Sequence, residues 1–216
     1  MKKNTLNLHF ELLPENTRKI FEDLVKFEPQ SILGGGTAIM LLFGHRRSFD
    51  LDIFVNKPIP KRLLLKLKTV YQNKLSRPLV DTQDELSVII SPDTKISFIF
   101  FPFKSLHSII NTNSIDIFSP EDLASNKAYV IGRRGAWRDY VDLFFLLKYG
   151  VDFERVIIEA KKRFGGAFSE KLFLEQLTYF NDLKDFTVDY FGESYQPNEI
   201  QDYFKELARN FVRNLR

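Results

Sequence analysis

The chain has no cysteine, so disulfides, thiolate metal sites and thiol nucleophiles are excluded together. That usage fits a cytosolic protein. Histidine is scarce, at three residues, and His9, His45 and His107 show no metal-ligand spacing and no Ser/His/Asp pattern. No stretch approaches the roughly 18 apolar residues a membrane span needs. The longest apolar runs, such as Leu143 to Leu147, suit a core. Met1-Lys2-Lys3 is basic, but Asn4 to Glu11 never becomes continuously apolar, so no secretory leader is read there. There is no internal repeat and no low-complexity segment. Net charge is small, at +3, which does not mark a dedicated nucleic-acid binder but is compatible with an anionic substrate.

What is present is an ordinary globular composition, 44% hydrophobic and 27% charged, with 22 phenylalanines to fill a core. The length of 216 residues allows one substantial core and a helical second lobe. We divide the chain into an αβ part over 1–118 and a helical part over 119–216.

The informative stretch is Gly34-Gly35-Gly36-Thr37 and the run Gly44-His45-Arg46-Arg47-Ser48-Phe49-Asp50-Leu51-Asp52-Ile53-Phe54. Ser31-Ile32-Leu33 reads as a short strand that stops at the glycines. Glycine permits positive φ and close approach of a ligand to the main chain. Thr37 then opens about two helical turns over Ala38 to Phe43, whose free N–H groups and partial positive charge suit phosphate. From Phe49 to Phe54 the chain alternates. Phe49, Leu51 and Ile53 fall on one face and Asp50 and Asp52 on the other, their β-carbons about 7 Å apart. Two like charges so placed repel unless a cation lies between them. Hard oxygen ligands beside a phosphate cradle suit Mg²⁺ or Mn²⁺ carrying a nucleoside triphosphate. An isolated Asp-x-Asp is usually a solvated strand face, and an isolated glycine run a loop; the short distance between the two raises the site reading.

Around this motif the pattern predicts a helix from Pro14 to about Phe27, with Ile20, Phe21, Leu24 and Val25 inward. A helix follows over Lys61 to Lys74. Its lysines read as a solvated face, against a rival reading as a basic rim for RNA or a nucleotide. Strands are expected over Leu86 to Ile90, Lys95 to Phe101 and Ser114 to Phe118. Ser119 and Pro120 start a helix running to about Gly132, with Lys127 on an open face between Ala124 and Ala128. A second helix opens at Trp137 and ends near Gly150. It carries Arg138, and it sets Asp139 and Asp142 on one face. Three more helices are expected over 152–164, 169–183 and 197–214.

The segments Gly35-Gly36-Thr37-Ala38 and Gly44-His45-Arg46-Arg47-Ser48-Phe49-Asp50-Leu51-Asp52-Ile53 resemble the first motif of the nucleotidyltransferase superfamily. They are most similar to its AbiEii/AbiGii toxin branch. Asp122-Leu123 with Lys127, followed by Arg138-Asp139-Tyr140-Val141-Asp142-Leu143, resembles the branch's two later helical motifs. The resemblance covers roughly residues 30–150. It implies an α+β fold, a nucleotidyltransferase-like mixed sheet with flanking helices and a C-terminal helical lobe. It also implies transfer of an NMP from an NTP to a hydroxyl of tRNA, another RNA or a protein, as the toxin of a toxin–antitoxin pair with a cognate antitoxin. Asp50 and Asp52 would hold the metal. Gly35, Gly36, Thr37, Arg47, Ser48, Arg138 and Asp139 would bind nucleotide, Lys127 would meet its phosphates, and Asp142, or else Asp139, would serve as acid/base or metal support. Many nucleotidyltransferases carry a third acid on the strand at 95–101; here the outward positions Lys95, Ser97 and Ile99 offer none. Two other functions fit the same motif: small-molecule nucleotidylation of the antibiotic-modifying type, and non-catalytic nucleotide or RNA binding.

Overall fold

The computed structural model describes residues 7–28 and 30–214. The lead-in expected over 1–13 falls partly on residues outside this range; from Phe10 to Leu12 it is a 3₁₀ turn. The chain divides into two compact units. The first takes the chain through Gly44 and resumes over Ser48–Ser119; the second takes His45–Arg47 and the chain from Pro120 onward. The three residues 45–47 thus group with the helices, which the contiguous division drawn from sequence does not anticipate.

The first unit is a mixed sheet with helices. Helix α1 spans Glu15–Asp23 and continues as a 3₁₀ turn over Leu24–Lys26. Ile20, Phe21 and Leu24 are buried, but Val25 is exposed, because the tighter turn rotates it off the apolar stripe. Strand β1 is Ile32–Gly34, α2 is Gly35–Phe43 and β2 is Leu51–Val55. Helix α3 covers Arg62–Tyr71. Strands β3 (Val80–Asp81), β4 (Glu85–Ile90), β5 (Thr94–Phe100) and β6 (Asp116–Ile117) complete the unit. The order across the sheet is β3-β4-β5-β2-β1-β6. β2 lies at its centre, antiparallel to β1 and parallel to β5. Its alternation is visible in burial: Leu51 and Ile53 are wholly buried, while Asp52 is half-buried.

The second unit is helical: α4 (Pro120–Ile131), α5 (Trp137–Lys148), α6 (Phe153–Phe164), α7 (Glu170–Thr178) and α8 (Pro197–Asn214). Its core is aromatic, with Tyr140, Phe145, Phe173 and Phe204 fully buried. Helix α7 stops at Thr178, short of the expected 183, since Tyr179 turns to extended backbone. Among the described residues, no helix is long and apolar enough to cross a membrane.

Candidate active site

In the first unit the site is built on the β1–α2 junction. The helix begins at Gly35, two residues earlier than the sequence pattern suggests, so Gly35 and Gly36 form its first turn rather than a loop. Gly35 has φ +66°, a conformation that costs other residues about 1–2 kcal/mol. A Cβ built there would lie 2.2 Å from Oδ2 of Asp52. The missing side chain is therefore what lets this carboxylate stand against the start of α2. Register explains the approach: Asp52 pairs with Gly34 on one side and with Ser97 on the other.

Asp50 is exposed and lies one residue before β2 rather than within it. Its backbone is tied down by Thr37, a buried residue of α2. Thr37 Oγ1 lies 2.5 Å from the Asp50 carbonyl oxygen, 2.9 Å from that of Ser48 and 3.1 Å from Ser48 Oγ. One hydroxyl proton serves one carbonyl at a time, so Thr37 acts as a hook for the whole 48–50 turn. Gly35 and Asp52 are thus brought together, as are Thr37, Ser48 and Asp50. The absence of an acid on β5 is also visible: Ser97, opposite Asp52, is buried and accepts a hydrogen bond from Ser87 Oγ at 2.8 Å.

In the second unit Asp142 is the centre of a buried ionic cluster. Its side chain is fully buried. Arg46 donates to it twice, Nε to Oδ1 at 2.7 Å and Nη2 to Oδ2 at 2.8 Å. His45 Nε2 donates to Oδ1 at 2.7 Å, and Lys127 Nζ lies 2.6 Å from Oδ2. Lys127 also donates to Asp139 Oδ1 at 2.7 Å. Asp139 and Asp142, one helical turn apart, therefore close on one ammonium.

Burial alone would raise the Asp142 pKa, but Arg46, Lys127 and His45 together hold it well below the usual carboxylate range. Burial likewise opposes the charged form of Lys127, and Asp139 and Asp142 outweigh it, so its pKa is raised. Arg46 is raised in the same way, Asp142 overcoming its desolvation. His45 goes the other way. Burial pushes it down despite the bond to Asp142. A neutral ring with the proton on Nε2 explains why Nδ1 has no hydrogen-bond partner.

Two expectations change. Lys127 is not on an open face; it is buried and its charge is balanced by two carboxylates. Asp142 is a poor candidate for taking a proton from an acceptor, because it is sealed off, fully hydrogen-bonded and of low basicity. Its geometry is that of an anchor. Arg47 and Arg138 are exposed; Arg47 pairs with Asp189 at 3.2 Å, and the Asp185 carboxyl, held down mainly by its hydrogen bonds to Thr187, is lowered a little further by Arg138.

Sequence reasoning missed Arg46 and the segment it pairs with. Arg46 bridges Tyr190 in antiparallel fashion. Arg47 N–H donates to the Asp189 carbonyl at 2.7 Å, and Phe191 N–H to that of His45 at 3.3 Å. Residues 189–191 thus strap down 45–47. An available signal was the arginine beside the motif histidine, with an Asp-x-x-Asp helix downstream to receive it.

A glycine-initiated helix, one carboxylate on a central strand with a second just before it, and a mixed sheet match a nucleotidyltransferase fold. The structure is similar to MenT4, the nucleotidyltransferase toxin Rv2826c of Mycobacterium tuberculosis H37Rv, with a TM-score of 0.54 at 12% identity over 86% of this chain and 78% of that one. It is also similar to a candidate nucleotidyltransferase from Helicobacter pylori, with a TM-score of 0.51 at 18% identity over 100% and 99% of the two chains. A family model described as nucleotidyl transferase AbiEii toxin, type IV TA system, matches residues 19–215. The chain belongs to that family. In sequence it is 29% identical over 190 residues to protein aq_aa25 of Aquifex aeolicus (strain VF5), covering 84% of this chain and 88% of the relative.

Proposed function

We propose that this protein transfers a nucleoside monophosphate from an NTP to a hydroxyl of an RNA, with tRNA as the leading candidate and a protein hydroxyl as the other, and that it acts as the toxin of a toxin–antitoxin pair. The observation that carries the reading is the packing of Asp52 against the first turn of α2, with the backbone of Asp50 hooked by Thr37.

The donor set fits a hard divalent cation. Asp50 and Asp52 supply carboxylate oxygens, and Gly35 leaves the space in which Asp52 stands. Mg²⁺ or Mn²⁺ held there would neutralise charge on the triphosphate and on the departing pyrophosphate. Among the described residues no cluster of three or more metal-ligating side chains forms, so the protein's share is this pair.

The rest is done by the chain's own groups. Amides at the start of α2 receive phosphate. Ser48 and the turn it heads keep the carboxylates in place. Lys127 carries a positive charge that Asp139 and Asp142 hold in one orientation within the helical unit. The acceptor oxygen bonds to the α-phosphorus as the bond from that phosphorus to the bridging oxygen breaks. Pyrophosphate leaves with the electron pair, and the hydroxyl proton passes to solvent. Positioning and charge supply most of the catalysis.

The test is incubation of purified protein with each of the four α-labelled NTPs and total RNA, with and without Mg²⁺. Label entering RNA in a metal-dependent way supports the proposal. Label entering only a small molecule would move the protein to the antibiotic-modifying type, and nucleotide binding without turnover would make it a binding protein. Growth arrest on induced expression, relieved by Asp52→Ala, supports the toxin role; harmless high-level expression counts against it.

A further inference from the structure

From Lys57 to Val80 the sequence holds seven basic residues and no acidic one. The chain as a whole carries 31 basic and 28 acidic residues, so without this segment it would be left with 24 against 28 and a net negative charge. The excess positive charge is therefore local. Lys57, Lys61, Arg62, Lys66, Lys68, Lys74 and Arg77 are all exposed.

Helix α3 buries only Leu63, Leu67 and Tyr71. That stripe leaves Lys61 and Lys68 on one flank of the exposed arc and Arg62 and Lys66 on the other. Several exposed lysines elsewhere have acidic partners within a turn, as in Lys19–Glu15 and Lys205–Asp202. None of the seven has an ion-pair partner among the described residues. Glu28 lines a recess of about 240 Å³ with Lys57 and Arg62 without forming an ion pair with either. Arg62 and Lys66, four apart, repel by a few tenths of a kcal/mol, and no acid occupies the helix's first turn. The helix gains nothing in stability from these charges.

The track also has a direction. It begins beyond the end of β2, at Lys57, and α3 carries it about 15 Å. It ends at Lys74, whose carbonyl accepts from Ser91 N–H at 2.8 Å, beside the bridge Leu75↔Ile90. Ile90 pairs with Thr94, and β5 runs parallel to β2 with Ile96 opposite Leu51. Lys74 therefore lies at the end of the sheet where β2 starts, the end that carries Asp50.

We propose that the exposed face of α3 with its flanks, from Lys57 to Arg77, is a docking track for the phosphodiester backbone of the RNA acceptor, leading toward the end of the sheet that holds the carboxylate pair. It rests on the nucleotidyl-transfer reading only in naming RNA as acceptor. The track holds no exposed aromatic residue, Tyr71 being buried, so bases find no stacking surface. Recognition is therefore of charge and backbone, independent of sequence.

The experiment is fluorescence anisotropy of the full chain with a labelled RNA hairpin bearing a single-stranded 3′ tail, without NTP, over a salt series. The quadruple variant Lys61→Glu/Arg62→Glu/Lys66→Glu/Lys68→Glu should bind at least tenfold more weakly. Its plot of log affinity against log salt should be shallower by about three, near 0.7 per lost phosphate contact. A charge-matched variant in the helical unit, Arg155→Glu/Lys161→Glu/Lys162→Glu/Lys171→Glu, should keep the full slope. The neutral set with Gln at 61, 62, 66 and 68, checked for folding by thermal melting, should fall between. Equal losses in both Glu variants, no loss in either, or polyglutamate competing as well as RNA at matched charge would overturn the proposal. RNA bound on this face with no label transferred would sink the enzyme reading and leave the track. Undiminished transfer to RNA by the α3 variant would do the reverse.

Discussion

Arg46 and Asp142 form a two-pronged ion pair, at 2.7 and 2.8 Å, inside the helical unit. Arg46 lies four residues before Asp50, and the same carboxylate receives Lys127. One buried anion thus fixes both Arg46 and Lys127 within the helical unit. Removing it strands the buried Arg46 charge and leaves Lys127 with Asp139 alone. Breaking such a pair from one side costs about 3–5 kcal/mol. Asp142→Ala should lose stability of that order in urea melts, and Asp142→Asn less, since the amide oxygen still accepts. Equal stability of Asp142→Ala and the parent protein would dismiss the anchoring role.

His45 makes stability depend on pH in a defined direction. Its folded pKa lies below the unfolded value of about 6.5. Between the two, the unfolded chain takes a proton that the folded ring refuses, so this contribution is present above about pH 6.5 and fades as pH falls. Asp142, depressed by its cations, adds a second loss only as pH drops below about 4. His45→Gln should flatten the part of the stability profile that falls just below about pH 6.5 and leave the more acidic limb below about pH 4. An unchanged profile would show that the ring does not titrate as described.

Gly35 is set by two constraints, its φ of +66° and the Asp52 carboxylate 2.2 Å from where a Cβ would stand. Gly35→Ala should cost about 1–2 kcal/mol in backbone strain alone and push the carboxylate aside. Nucleotide transfer should fall further than stability does. Gly166→Ala, at a position with nothing within 4 Å, is the matched control. Full transfer by Gly35→Ala would remove the argument that this glycine makes room for the site.

Thr37→Val keeps the shape of the side chain and deletes the hook on Ser48 and Asp50. A buried hydrogen bond lost this way costs about 1 kcal/mol, and the freed carbonyls add to it. The amides of residues 48–50 should exchange with solvent faster than in the parent. Unchanged exchange would mean that the turn is held by something else.

Much of the first unit was legible because it follows local rules. The Asp-x-Asp alternation, the glycine stop and the apolar stripe of α3 are each written within about a dozen residues. That Asp139 and Asp142 share a helix face was legible too, from their spacing of three. Other features lay beyond a local pattern. Nothing near Lys127 says that both acids close on it; that needs α4 and α5 packed together. The capture of Arg46 by Asp142 and Tyr190 joins positions nearly a hundred and over a hundred residues away. The early start of α2 was hidden by its glycines, which ordinarily mark loops and here open a helix because Gly35 can take positive φ.

The central claim is that the carboxylate pair at the start of β2 supports nucleotidyl transfer. The direct measurement is label transfer from α-labelled NTP to RNA by the parent protein and by Asp52→Asn, each verified as folded. Transfer by the parent and a loss of about a hundredfold or more in the variant are expected, the order found when charge stabilisation at a reacting centre is removed. Full transfer by Asp52→Asn would contradict the claim.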